Sequence, residues 1–286
     1  MILSGRARVA GVVGWPVAHS RSPRLHGYWL EEYRIDGAYV PLLVRPESLP
    51  RALRGLADAG FRGLNVTLPH KEAALALCDE VDALARRIGA VNTLVFEGGR
   101  ILGSNTDAFG FLENLREQAP RWSPGDGPAA VLGAGGAARA VIVALLEAGV
   151  PRIMLANRTQ ARARILAAEL QATGLKGRIE VVPWSQQAAT LAEAALLVNT
   201  TTLGMEGQPP LEIPLTRLPP GAVVADIVYT PLETPLLAAA RARGHTVVDG
   251  LGMLLHQARP GFEAWFGVAP QVTPALRAFV LDTCDT

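Results

Sequence analysis

Short apolar runs alternate with helix-length stretches along almost the whole chain, and this alternation restricts the fold more than any other feature. The runs ARVAGVVG (7–14), AYVPLLV (38–44), FRGLNVTL (61–68) and AVNTLVF (90–96) read as strands. So do AAVLG (129–133), RIMLAN (152–157), RIEVV (178–182), ALLVN (195–199), AVVADI (222–227) and HTVVD (245–249). Most are continuously apolar, the pattern of strands covered on both faces. Segments of roughly a dozen residues with helical periodicity lie between them, which predicts an α/β fold built on parallel sheets. Helix starts agree: Ser22-Pro23 predicts a serine N-cap with proline at N1, and Thr159 predicts another cap.

A Pro- and Gly-rich break, APRWSPGDGP (119–128), separates two such series, with a helical pattern at 106–118 just before it. After HTVVD the chain holds two helices and no further strand. A terminal helix pair of this kind packs back on the first domain. The expected layout is therefore a first domain of residues 1–106 completed by 250–286, and a second of 107–249. At 286 residues there is room for both.

Composition excludes several partners. With 49% apolar residues and 19% charged, the chain has cores to bury, and a formal charge of +1 gives no electrostatic case for nucleic acid or an anionic membrane. No signal peptide is evident, and no window reaches the apolar length of a membrane span. Cys78 and Cys284 lie far apart in sequence and form no metal-binding spacing, so no metal is expected, and the cysteine usage suits a reducing, cytoplasmic setting.

The sharpest single motif is VLGAGGAARA, which places Gly133, Ala134, Gly135, Gly136 and Ala137 between a strand and a helix. The first glycine allows the tight turn, and Gly135 lets the backbone approach a pyrophosphate. Ala138 permits close helix–strand packing. The helix N-terminus then offers its N–H groups to the phosphates. At the end of the next strand an NAD enzyme commonly carries an acid for the ribose 2′-hydroxyl. Here the residues are Asn157, Arg158 and Thr159, with Arg162 one turn on. A guanidinium suits a 2′-phosphate, so the cofactor predicted is NADP.

Small polar residues gather at the ends of the first-half strands: Ser20 and Ser22, Thr67 and Lys71, Asn92, and Asn105-Thr106-Asp107. Carboxyl ends of strands line the ligand crevice in sheets of this type. Uncharged donors with one lysine and one aspartate suit a polyhydroxylated small molecule. Singly, each has a structural reading: Ser22 and Asp107 as helix caps, Thr67 as a strand former. Lys71 is harder to dismiss. The chain holds 25 arginines and two lysines, and this one follows Pro69 and His70 at a strand end. The other, Lys176, lies in a GLKGR loop.

Taken together, the chain closely resembles the bacterial shikimate dehydrogenase family. The segments that carry the likeness are GWPVAHSRSPRLH (14–26), NVTLPHKE (65–72), GAVNTL (89–94) and GSNTDAFG (103–110). In the second half they are GAGGAARA (133–140), NRT (157–159), NTTTLGM (199–205), DIVYTPLETPLL (226–237) and DGLGMLLHQA (249–258). The resemblance implies a two-domain α/β enzyme, a parallel-sheet substrate domain plus a Rossmann-type NADP domain with a cleft between them. It implies reversible NADPH-dependent reduction of 3-dehydroshikimate to shikimate, on the route to aromatic amino acids. By the same resemblance Ser20, Ser22 and Tyr229 hold the substrate carboxylate, while Thr67, Lys71, Asn92, Asp107 and Gln257 meet the hydroxyls and the reacting carbonyl. Lys71 and Asp107 form the catalytic pair. Gly133 to Ala137 cover the pyrophosphate, Asn157 to Arg162 the 2′-phosphate, and Ile227 and Gly250 approach the nicotinamide. One departure is Gly27, where many relatives carry asparagine. A non-catalytic NADP-binding sensor on the same fold would have lost the lysine–aspartate pair, and quinate or aminoshikimate oxidation is the enzymatic alternative within the same superfamily. The family includes monomers and homodimers, and both stay open.

Overall fold

The computed structural model describes residues 2–282, so Cys284 lies outside it. The chain divides into two compact units: residues up to Thr106 together with those from Leu254 on, and Asp107–Met253. The second boundary falls inside a helix, a few residues beyond the expected 249/250 division.

The first unit contains β1 (Arg8–Gly14), α1 (Ser22–Glu32), β2 (Gly37–Leu43), α2 (Leu49–Asp58), β3 (Gly63–Val66) and α3 (Lys71–Leu75). It continues with β4 (Glu80–Val81), α4 (Ala83–Ile88), β5 (Thr93–Glu97) and β6 (Arg100–Ser104). Its sheet runs β2-β1-β3-β5-β6-β4. Pairing is parallel from β2 to β3 and between β4 and β6, but β5 lies antiparallel to both neighbours. The Gly98-Gly99 turn explains the β5–β6 pairing, because a two-residue hairpin can join only antiparallel strands. Ser22 is not the N-cap of α1. Arg21 holds that position without a side-chain cap, and the Ser22 N–H is instead met by the Ser20 hydroxyl at 3.3 Å. Val13, Leu53, Leu64, Val66, Ala85 and Leu94 form one core cluster of the unit.

The second unit opens with α5 (Asp107–Gln118), β7 (Ala129–Leu132), α6 (Gly136–Ala148), β8 (Arg152–Ala156), α7 (Gln160–Ala172) and β9 (Arg178–Val182). There follow α8 (Gln187–Thr190), β10 (Leu196–Asn199), β11 (Val223–Asp226), α9 (Pro235–Ala242) and β12 (Thr246–Val248). Helix α10 (Gly250–Phe266) carries the chain across the boundary, and α11 (Pro274–Leu281) ends the first unit. The second sheet is wholly parallel, in the order β12-β11-β10-β7-β8-β9. Strand addition reverses direction between β9 and β10. The carboxyl ends of β7 and β10 therefore flank a topological switch point, the place where such sheets take ligands. Thr159 occupies the N-cap position of α7, but its side chain makes no capping hydrogen bond.

In the first unit, the far end of α10 supplies Phe262, Trp265 and Phe266 to an aromatic cluster with Trp29 of α1. The Trp265 indole N–H donates to the Leu94 carbonyl at 2.9 Å, tying α10 to the sheet. Cys78 is half-buried and free, and burial pushes its thiol up to about 11, which makes it a poor nucleophile. No helix among the described residues is long and apolar enough to cross a membrane, and those residues bring no three His, Cys, Asp or Glu side chains together as metal ligands.

Candidate active site

In the first unit the polar residues sit where the strands end. Beyond β3 the chain passes Thr67 and a cis Leu68–Pro69 bond, then opens α3 at Lys71. The backbone N–H of Thr67 donates to Val13 (2.9 Å), and that of His70 to the Thr67 carbonyl (2.9 Å). The buried His70 ring bonds the Val44 carbonyl at 2.8 Å, anchoring the turn just before Lys71. The Lys71 carbonyl accepts from the Val91 N–H (2.9 Å), and the Asn92 carbonyl accepts from Val66 (2.8 Å). Residues 67–71 and 91–92 are thus laced together at one end of the sheet.

Asn92 is the centre of that end. Its Oδ1 accepts from the Thr106 N–H at 2.8 Å, and its Nδ2 donates to Gln257 Oε1 at 3.2 Å and to the Thr106 hydroxyl at 3.0 Å. Two of the expected substrate contacts, Asn92 and Gln257, are therefore brought together from positions 165 residues apart. Gln257 keeps its Nε2 on the Leu254 carbonyl at 3.1 Å, one turn back on α10. Ser20 and Ser22 are joined through the Ser22 N–H, and Ser22 is buried. Asn105 serves structure here, donating to the Ala90 carbonyl at 2.9 Å. Asp107 lies in the second unit, buried, as the first residue of α5 rather than its cap.

Three residues beneath this cluster, Tyr39, Asn65 and Thr93, escaped the sequence reading. The Tyr39 hydroxyl donates to Asn65 Oδ1 at 2.6 Å, and Asn65 Nδ2 donates to the Asn92 carbonyl (3.2 Å) and the Thr93 hydroxyl (3.3 Å). Burial holds the Tyr39 phenol protonated, pushing its pKa well above the usual value, while the Ser22 hydroxyl beside it pulls the other way. The available signal was Asn65 itself. An asparagine inside a fully buried apolar strand needs hydrogen-bond partners in the core.

The second unit holds the glycine loop at the switch point. Gly133 adopts φ +111°, and a Cβ there would stand 2.5 Å from the Thr200 hydroxyl, so glycine is required. Gly135 is the N-cap of α6 and supplies no side-chain cap, and the space where a Cβ would sit is open. The first N–H groups of the helix are left for an anion. At the end of β8, Asn157 Nδ2 donates to the Thr159 carbonyl at 2.9 Å, closing the turn that carries Arg158. Arg158 and Arg162 are exposed and make no ion pair among the described residues, whereas Arg139 and Arg152 are bound to glutamates. Two uncommitted guanidinium groups with no acid at the strand end fit a 2′-phosphate rather than a bare ribose.

Ile227 and Tyr229 follow β11 in a turn that includes a cis Thr230–Pro231 bond. Gly250, the first residue of α10, lies so close that a Cβ would run into the Ile227 carbonyl. Asp226 ends β11 with its carboxyl buried, and burial raises its pKa to about 6 against hydrogen bonds from Val228, Thr234 and Asn199.

Family models match both units. The shikimate dehydrogenase substrate binding domain covers residues 12–94, and the shikimate / quinate 5-dehydrogenase model covers 123–204. The chain belongs to the shikimate dehydrogenase family. Within this family the NADP(+) shikimate dehydrogenase of Rhodospirillum rubrum is 64% identical over 98% of this chain and 99% of its own. Among solved structures, shikimate 5-dehydrogenase from Thermus thermophilus, in complex with NADP(H) and shikimate, is 43% identical with a TM-score of 0.83. That match covers 96% of this chain and 98% of that one. Quinate dehydrogenase from Corynebacterium glutamicum, in complex with NAD, is 32% identical with a TM-score of 0.89. Coverage there is 96% of this chain and 99% of its counterpart.

Proposed function

We propose that this protein catalyses the reversible NADPH-dependent reduction of 3-dehydroshikimate to shikimate, in the biosynthesis of aromatic amino acids. The observation that carries this reading is the near full-length identity with the Rhodospirillum NADP(+) enzyme. The uncommitted Arg158 and Arg162 favour NADP over NAD, because guanidinium groups pair with a 2′-phosphate, whereas an acid would bind the 2′-hydroxyl and repel that phosphate.

Bound NADPH supplies a hydride for the ketone carbon. The protein's part is to bind, orient and manage one proton. In this reading Ser20, Ser22 and Tyr229 hold the substrate carboxylate, and Thr67, Asn92 and Gln257 take its hydroxyls. Asn92 and Gln257 are pre-set, because each amide already has partners that fix which end points where. Lys71 gives the forming alkoxide its proton and recovers it in the reverse direction, with Asp107 completing the pair. Gly133 to Ala137 receive the pyrophosphate, Asn157 to Arg162 the 2′-phosphate, and Ile227 and Gly250 border the nicotinamide.

We infer a cytoplasmic reaction on a small-molecule substrate, in keeping with a cysteine usage that suits a reducing compartment. Light scattering separates the two assemblies known in the family, monomer and homodimer. Initial rates with shikimate and quinate, each with NADP+ and NAD+, test the functional reading. Shikimate with NADP+ is expected to be fastest by kcat/KM. Quinate with NAD+ leading would overturn the assignment.

A further inference from the structure

We propose that Asp226 is a positioning residue, whose carboxylate fixes the turns after β10 and β11 and, through them, Ile227 and Tyr229. This rests on the roles given to those two residues above.

The carboxylate collects three donors from three places. Oδ1 accepts from the Val228 N–H (3.0 Å) in its own turn and from Asn199 Nδ2 (3.0 Å) at the end of β10. Oδ2 accepts from the hydroxyl of Thr234 (2.7 Å), which is also the N-cap of α9. Asn199 cannot swivel to escape. Its Nδ2 also donates to the Leu203 carbonyl (3.1 Å), and its Oδ1 accepts both the N–H (3.0 Å) and the hydroxyl (2.7 Å) of Thr201. The same turn places the Thr200 hydroxyl on the Leu132 carbonyl at 2.7 Å, directly against Gly133.

On the other side, the Ile227 N–H donates to the Asn199 carbonyl at 3.1 Å, and its own carbonyl abuts Gly250. Residues 227–228 are thus gripped between one buried carboxylate and the start of α10. Packing alone does not ask for an acid here, since the rest of β11 is Val223, Val224 and Ala225. A buried carboxylate is costly to ionise unless hydrogen-bonded donors surround it. This one has them, and all belong to the two turns and the helix cap it joins.

The test compares three variants and uses a readout that needs no cofactor. Asp226→Ala removes every acceptor, and kcat/KM for shikimate should fall roughly tenfold to a hundredfold as buried donors lose their partner. Hydrogen exchange at the Val228 amide of the ligand-free protein should quicken at least about tenfold. Asp226→Asn retains an oxygen for Asn199 and Val228 and should recover both readouts to within about threefold. Thr234→Val removes the third bond and the helix cap. It should lower Tm yet leave kcat/KM and Val228 exchange within about threefold of wild type. Activity that follows Tm alike in all three variants, or no rescue by asparagine, overturns the proposal. If Asp226→Ala does not fold, Asn199→Ala severs the bond from the other turn: kcat/KM should fall in the same direction, while Val228 keeps its Asp226 acceptor and its exchange should stay within about threefold of wild type. An inactive wild type would refute the functional reading instead, while Val228 exchange would still report on the clamp.

Discussion

The imidazole of His26 lies face to face on the ring of Tyr39, with centroids 3.9 Å apart and planes 3° from parallel. Among the described residues neither ring nitrogen meets a well-aligned hydrogen-bond partner; the nearby Asn65 amide only partly offsets burial, and Trp29, Phe262 and Trp265 surround the ring. Burial lowers the pKa of His26 to about 3, so it packs as a neutral aromatic disc. The Tyr39 hydroxyl at the edge of this stack begins the hydrogen-bond chain that ends at Asn92 and Gln257.

Acid stability follows from this stack. The unfolded chain protonates His26 below about pH 6.5, whereas the folded protein does not until about pH 3. Its contribution is therefore fully present above pH 6.5 and is lost as pH falls, by about 2 kcal/mol at pH 5. Asp226 acts oppositely: its folded pKa of about 6 exceeds the ordinary carboxylate value, so stability drops as pH rises from about 4 to 6. Urea unfolding across this range should show His26→Phe flattening the acid-side loss and Asp226→Asn flattening the opposite trend.

Removing the Tyr39 hydroxyl alone leaves the ring stack and strands a buried amide oxygen. Tyr39→Phe should cost about 1–3 kcal/mol of stability by urea unfolding. An unchanged midpoint would mean that Asn65 finds another donor.

Lys71→Arg keeps the charge but cannot readily release a proton. Turnover should fall by at least about a hundredfold, with NADPH affinity within about twofold. Near-normal kcat would reduce Lys71 to a fixed positive charge beside the substrate.

Arg158 is the test of cofactor choice. Arg158→Ala should weaken NADPH binding by about tenfold or more and leave NADH binding nearly unchanged, because only NADPH carries the 2′-phosphate. Titration of cofactor fluorescence reads both, and equal losses would remove the case for 2′-phosphate recognition.

What could be read from the sequence was local. The glycine loop, the arginines after β8 and the polar strand ends around Thr67, Lys71 and Asn92 all announce themselves through residue type beside a strand end. What was not legible depends on contacts across the chain. Ser22 carries the helix-start signal, yet Ser20 supplies the hydroxyl that meets its N–H, so Arg21 becomes the cap position. Strand β4 has two residues and no periodicity to detect. Asn65 and Tyr39 are 26 residues apart, and Asp226 and Asn199 27, so neither pair leaves a spacing to recognise.

The most direct measurement is conversion of 3-dehydroshikimate by the purified protein with NADPH, following cofactor absorbance and carbon NMR of the product together. One shikimate should appear for each NADPH consumed, and omission of either reactant should leave the other unchanged. NADPH oxidation without shikimate, or shikimate formed equally well with NADH, would contradict the account.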